Sequence, residues 1–172
     1  MVRNCVLAAS ICLAGMGSAG AATLYIPGSA GIADQASAYS QPGGVNDCIA
    51  DVPKGAMLMH SANISPYYAC LMSFPVSLPV GSTIDNVEVA YRNWNSAIPV
   101  QPFIAAYLGA NRIKPDLGSI AFAGNNATGG PSGQRFLAMS GVNVPIVSGD
   151  IYWIQVSTSN ITEVSSVSIN YH

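Results

Sequence analysis

The sequence predicts an all-β fold, a two-sheet antiparallel β-sandwich of the jelly-roll type, with an immunoglobulin-like sandwich as the alternative. Apolar residues alternate with period two, as in Val87, Val89 and Tyr91, and this pattern is typical of strands with one face on a core. Turn-forming residues separate the apolar runs, for example at 79–81 and 148–150. Because many short strands with regular turns are typical of sandwiches, and a jelly roll has eight, we expect that arrangement.

Ten segments fit such strands in order along the chain. They are residues 23–27, 56–60, 67–74, 87–92, 103–108, 119–123, 134–140, 142–147, 151–157 and 167–172. A small, polar stretch over 30–45 and a Gly- and Asn-rich stretch over 124–133 interrupt the pattern, and we expect both to be loops. No amphipathic helical stretch of useful length occurs beyond the first residues.

The composition limits the kinds of partner that this protein can bind. Of the 172 residues, 50% are hydrophobic and only 8% are charged, against about 25% charged residues in ordinary soluble domains. Six Lys and Arg residues and a net charge of −2 cannot supply the basic surface that nucleic acids or anionic membranes need. The sequence therefore predicts partners that are held by shape and by neutral hydrogen bonds.

The first residues predict export. Arg3 precedes the apolar run 6–14, and small residues occupy 18–22, which is the pattern of a cleaved secretory signal peptide over 1–22. The apolar run is about half the ~20 residues that span a bilayer. We therefore expect a single β-sandwich domain over 23–172 with no integral membrane segment, in a secreted or periplasmic protein of bacterial type.

Export also determines the cysteine chemistry. Cys5 and Cys12 would leave with the signal peptide, so that Cys48 and Cys70 remain. An oxidising compartment favours a disulfide between them, and closing this loop would stabilise the fold by roughly 3 kcal/mol. A zinc site is the weaker alternative, because no CxxC pair or histidine cluster accompanies these cysteines.

The residues of common active sites are scarce. His60 is the one internal histidine and no GxSxG motif is present, so that a Ser-His-Asp hydrolase is not expected. The sequence predicts a non-catalytic protein without a cofactor; a glycoside hydrolase stays a remote alternative because carboxylate separations cannot be read from a sequence. Asn46, Asp47 and Asp51 offer hard oxygen ligands and are weak candidates for calcium.

Two kinds of partner remain, a protein or a glycan at the cell surface. A structural, adhesive or surface-interaction role would use sheet edges, and the uncharged alternating segment 165–172 could be an edge strand for self-association, or else an internal strand. A carbohydrate-binding role would use Trp94 as a stacking platform, with Arg92, Asn93 and Asn95 binding sugar hydroxyls. The alternative for Trp94 is packing within the fold.

Overall fold

The computed structural model describes residues 20–33, 47–51, 56–60, 69–93, 103–111, 119–128, 133–159 and 162–172. Eleven strands form within these ranges. They are β1 (Ala22–Pro27), β2 (Ile32–Ala33), β3 (Asp47–Asp51), β4 (Ala56–His60), β5 (Ala69–Val76), β6 (Thr83–Asn93), β7 (Phe103–Asn111), β8 (Ser119–Thr128), β9 (Gly133–Pro145), β10 (Ile151–Ser159) and β11 (Thr162–Tyr171). One 3-10 turn, Gly28–Ala30, follows β1.

The strands form two antiparallel sheets. Sheet A has the order β3-β4-β11-β6-β9, and β1 pairs with β11 beside β4. Sheet B has the order β2-β5-β10-β7-β8. The predicted all-β sandwich is confirmed.

The strand order follows from one long hairpin that is rolled up. The strands pair from the hairpin tip outward as β7 with β8, β6 with β9, β5 with β10 and β4 with β11. Successive pairs lie in alternate sheets, and the pairs β6–β11 and β7–β10 join them within each sheet. This nesting is the jelly-roll arrangement, and it differs from the ABED and CFG sheets of an immunoglobulin domain.

The core lies between the sheets because the strands alternate. In β6, Val87 and Val89 are fully buried while Glu88 is exposed. In β10, Ile154 and Val156 are fully buried, and Gln155 between them faces away from the core. Strands β6 and β10 therefore each present one set of side chains to the core and a second set to the outer face of their sheet.

Strand β9 is longer than the sequence indicated. Residues 134–140 and 142–147 were expected to be two strands, and they form one continuous strand that ends at Pro145. Gly141 and Asn143 have positive φ values of 66° and 49°, and the register with β6 shifts between Ile84 and Asn86 opposite them. A β-bulge thus bends the strand without ending it.

The expected loop over 124–133 is wrong for its first half. Strand β8 continues through Gly124 to Thr128, where it pairs with β7. Gly and Asn have low strand propensity, but cross-strand pairing outweighs it here. Strands β2 and β3 were not predicted.

The segment 165–172 is an internal part of sheet A. Strand β11 pairs with β6 on one side and with β1 and β4 on the other, so that its backbone groups are already paired within the chain. The hypothesis that this segment is a free edge for self-association is therefore wrong.

Residues 1–19, and with them most of the predicted signal peptide, lie outside the described residues. Strand β1 begins at Ala22, the last residue of the predicted signal peptide, and the predicted division into a signal peptide and a domain over 23–172 stays a prediction. Among the described residues, no helix is both long enough and apolar enough to cross a membrane.

Candidate functional site

Two of the four residues of the predicted sugar platform, Arg92 and Asn93, are described, and they lie on opposite faces of sheet A. Arg92 is exposed on the outer face of sheet A, where its cross-strand neighbours are Gln134 and Glu163. Asn93 points the other way and is only 2% exposed, and its Oδ1 accepts a hydrogen bond of 3.2 Å from Thr162 Oγ1. Adjacent strand residues face opposite sides, so Asn93 is a structural residue and does not belong to a surface with Arg92.

Trp94 and Asn95 lie outside the described residues, and their role stays a prediction. So does the disulfide: Cys48 lies in β3 of sheet A and Cys70 in β5 of sheet B, and these two strands approach each other across the sandwich. The side chains of both cysteines are outside the described part.

The calcium candidates are also untested. Asn46 lies outside the described residues, and Asp47 and Asp51 are the first and last residues of β3, with side chains that are not described. Within the described ranges, no group of three or more His, Cys, Asp and Glu residues could hold a metal ion.

The outer face of sheet B carries a different candidate site. Tyr107 in β7 is 41% exposed, and Trp153 and Gln155 in β10 are half-buried. All three lie on the side opposite the fully buried Leu108 and Ile154. We call the surface formed by Tyr107, Trp153, Gln155, Gly109, Gly124 and Asn126 the aromatic face.

Strand register places these residues in a compact tile. Trp153 lies directly opposite Gly109, and Gln155 directly opposite Tyr107. Trp153 and Tyr107 are therefore diagonal neighbours, which in an antiparallel pair lie roughly 7–8 Å apart. Because Gly109 has no side chain, nothing at that position stands between the two aromatic residues.

A second glycine determines how Tyr107 lies. A Cβ atom on Gly124, the cross-strand partner of Tyr107 in β8, would be 2.5 Å from Tyr107 Cδ1 and 2.8 Å from Cε1. The phenol ring thus lies across the backbone of β8 instead of standing away from the sheet. Only a residue without a side chain at position 124 allows this orientation.

A shallow depression of about 380 Å³ adjoins the ring. It is lined by Tyr107 and by residues 121–126 of β8, and its volume lies within the range of small-molecule sites. Beneath it, Phe122 stacks on the buried Tyr152 with ring centroids 6.3 Å apart. Asn125 Nδ2 donates a 2.6 Å hydrogen bond to the carbonyl of Ala138 in β9, which fastens this edge of sheet B to sheet A.

The polar groups of the aromatic face are neutral. Gln155 and Asn126 contribute amides, while Ser73 and Ser157 contribute hydroxyls from the same side of the sheet. At the described outer-face positions of sheet B there is no Asp, Glu, Lys, Arg or His. The face therefore combines two aromatic rings with groups that both donate and accept hydrogen bonds.

Sequence reasoning missed this site although a signal was present. Ile154 and Val156 alternate with Trp153 and Gln155, so a Trp and an amide share the face opposite an apolar core. The cross-strand position of Tyr107 could not be seen, because it depends on the pairing of β7 with β10.

Comparisons with known proteins show only distant likeness. No family model and no curated protein matches the chain. Among solved structures, the Podospora anserina GH26-CBM35 β-(1,4)-mannanase is 11% identical with a TM-score of 0.41, covering 87% of this chain and 28% of that one. The chain thus spans about a quarter of that enzyme's length.

Two further solved structures match over most of their own length. One is a CBM4 structure, 9% identical with a TM-score of 0.40, covering 81% of both chains. The other is TmCBM61 in complex with β-1,4-galactotriose, 10% identical with a TM-score of 0.34, covering 88% of this chain and 84% of that chain. We infer neither a family nor a ligand from likeness at this level.

Proposed function

We propose that this chain is an exported, non-catalytic β-sandwich module that binds glycans through its aromatic face. The observation that carries the proposal is the tile in sheet B: Tyr107 and Trp153 lie diagonally across one strand pair, next to Gly109 and Gly124. Gly124 allows the Tyr107 ring to lie on β8 while the residue stays 41% exposed, and Gly109 adds no side chain beside Trp153. An aromatic surface is complementary to the C–H groups on the flat side of a sugar ring.

Neutral polar groups beside the rings supply the second requirement. A sugar stacked on the rings would bring its hydroxyl groups towards Gln155 and Asn126, whose amides both donate and accept. The depression beside Tyr107 offers space for part of the ligand. We propose that the module acts by binding alone, through these neutral groups and the two aromatic rings.

The proposal can be tested by removing aromatic side chains, one at a time, from the outer faces of the two sheets. The purified chain would be titrated against a panel of soluble polysaccharides by affinity gel electrophoresis and calorimetry. We expect Trp153→Ala and Tyr107→Ala each to weaken binding at least tenfold, which is about 1.4 kcal/mol. Circular dichroism would confirm that each variant stays folded.

Phe136→Ala is the matched control. Phe136 is an aromatic residue with 60% exposure on the outer face of sheet A, so its removal tests the effect of losing any exposed ring. We expect binding within twofold of the parent chain. Equal losses for Phe136→Ala and Trp153→Ala, or unchanged binding in both aromatic-face variants, would contradict the proposal.

A further inference from the structure

We infer that the aromatic face selects neutral glycans and rejects acidic ones, which rests on the proposed function and specifies its ligand class. The argument begins with charge. The described residues of β2, β5, β10, β7 and β8 that face outward include no Asp, Glu, Lys, Arg or His. An acidic sugar would find no cationic partner among them.

Desolvation makes this difference in charge matter. When an acidic sugar stacks on Trp153 and Tyr107, its carboxylate would lose part of its hydration without gaining a charged partner. Such a loss is unfavourable. A sugar hydroxyl gives up less, because a neutral hydrogen bond to protein replaces one to water. The face therefore favours the uncharged sugar even where both have the same ring shape.

Hydrogen-bond chemistry points the same way. A hydroxyl both donates and accepts, as do the groups of Gln155, Asn126 and Ser157, so each contact can form in either direction. A carboxylate only accepts, so it can pair with the N–H groups of the two amides but not with their oxygens. The polar groups of the face thus fit hydroxyls better than carboxylates.

Position 155 offers a way to change the selectivity. Gln155 lies between Ser73 and Tyr107 in its row, so its side chain borders the ring on which the sugar would stack. Gln155→Lys would place a cation there while retaining both aromatic rings. We expect this variant to gain affinity for acidic glycans.

The experiment compares polymers with one backbone and different charge. Hydroxyethylcellulose against carboxymethylcellulose, and methyl-esterified against de-esterified homogalacturonan, would be measured alongside neutral galactan and mannan. For the parent chain we expect at least tenfold tighter binding to the neutral member of any pair that binds. We also expect little change between low and high salt, because neutral contacts are not screened. Gln155→Lys should narrow that difference in a salt-dependent way.

The outcomes separate the two proposals. If neutral and acidic members bind equally, and Trp153→Ala removes both, the selectivity is wrong while glycan binding stands. Tighter binding of an acidic member would likewise overturn the selectivity alone. If no polymer binds, the proposed function fails and the selectivity fails with it.

Discussion

The two outer faces of this sandwich are both formed by antiparallel strands, but one carries charged side chains and the other does not at its described positions. Sheet A exposes Glu88 and Arg92, together with the widely spaced aromatic residues Tyr25 and Phe136. Sheet B exposes Tyr107 next to Trp153, with glycines opposite each ring and no charged residue at its described outer positions. Because both faces cover the same core, packing alone does not require this difference.

Register explains why only one face concentrates its aromatic residues. In sheet A, Phe136 lies in the row of Ala90 and Ser166, and Tyr25 lies in the next row, three strands away. Strands are about 4.8 Å apart, so the strands that carry these two residues are separated by roughly 14 Å. In sheet B the two rings lie on neighbouring strands. The comparison teaches that the number of exposed rings matters less than their position in the register.

The largest expected effect comes from testing the inner and outer sides of β10. Ile154→Ala removes a fully buried side chain, and we expect it to lower the free energy of unfolding by about 3 kcal/mol. Trp153→Ala changes the adjacent, half-buried position, and we expect a loss of about 1 kcal/mol. Urea denaturation of both variants measures the difference. Equal losses would mean that Trp153 is a packing residue, and the functional contrast between the faces would fail.

The second prediction concerns glycan binding and the orientation of the Tyr107 ring on β8. Gly124→Ala adds a Cβ atom that would lie 2.5 Å from the ring, so the ring must move while the backbone needs no change. We expect glycan binding to fall about tenfold, or about 1.4 kcal/mol, with stability within about 0.5 kcal/mol of the parent chain. Isothermal calorimetry and thermal unfolding measure the two quantities.

Ser140→Thr is the control for Gly124→Ala, because it adds one heavy atom at an exposed position of β9 in sheet A. Binding should be unchanged in that variant. If Gly124→Ala also binds normally, the orientation of Tyr107 is not part of the site, and the aromatic face as defined here is wrong.

A third test compares one buried threonine from each sheet. Thr158 of sheet B is fully buried, and its Oγ1 has no hydrogen-bond partner among the described residues, whereas Thr162 of sheet A donates to Asn93. Thr158→Val should raise the free energy of unfolding by about 1 kcal/mol, and Thr162→Val should lower it by about 1–2 kcal/mol. A destabilised Thr158→Val variant would show that its hydroxyl is paired after all.

Local patterns predicted the strands well and the site poorly. The strand predicted over 56–60 coincides with β4, and the repeated turns indicated a sandwich. The Gly- and Asn-rich end of β8 could not be predicted, because its strand conformation depends on pairing with β7. Trp94 was a candidate because amide residues adjoin it in the sequence. The approach of Trp153 to Tyr107 was not predictable, because it depends on the register between two strands that lie more than forty residues apart in the chain.

The smallest expected effect belongs to a contact between the side chains of His172 and Asp85 at the end of sheet A. His172 Nδ1 lies 2.9 Å from Asp85 Oδ2, with side chains 53% and 29% exposed. Two backbone hydrogen bonds between Thr83 and His172 hold the same strands together, so the pair is not needed for their position. We expect Asp85→Asn to cost at most about 0.5 kcal/mol, as exposed pairs do.

The salt dependence of this contact can be compared with that of a position on the outer face of sheet B. In about 1 M salt, where the Debye length is about 3 Å, the cost of Asp85→Asn should disappear. Gln155→Ala on the uncharged face should have the same effect on unfolding in low and high salt. A cost for Asp85→Asn above about 1 kcal/mol, or one that salt leaves unchanged, would show that the contact acts through packing or direct hydrogen bonding. The electrostatic part of the contrast between the faces would then depend on Glu88, Arg92 and Glu163.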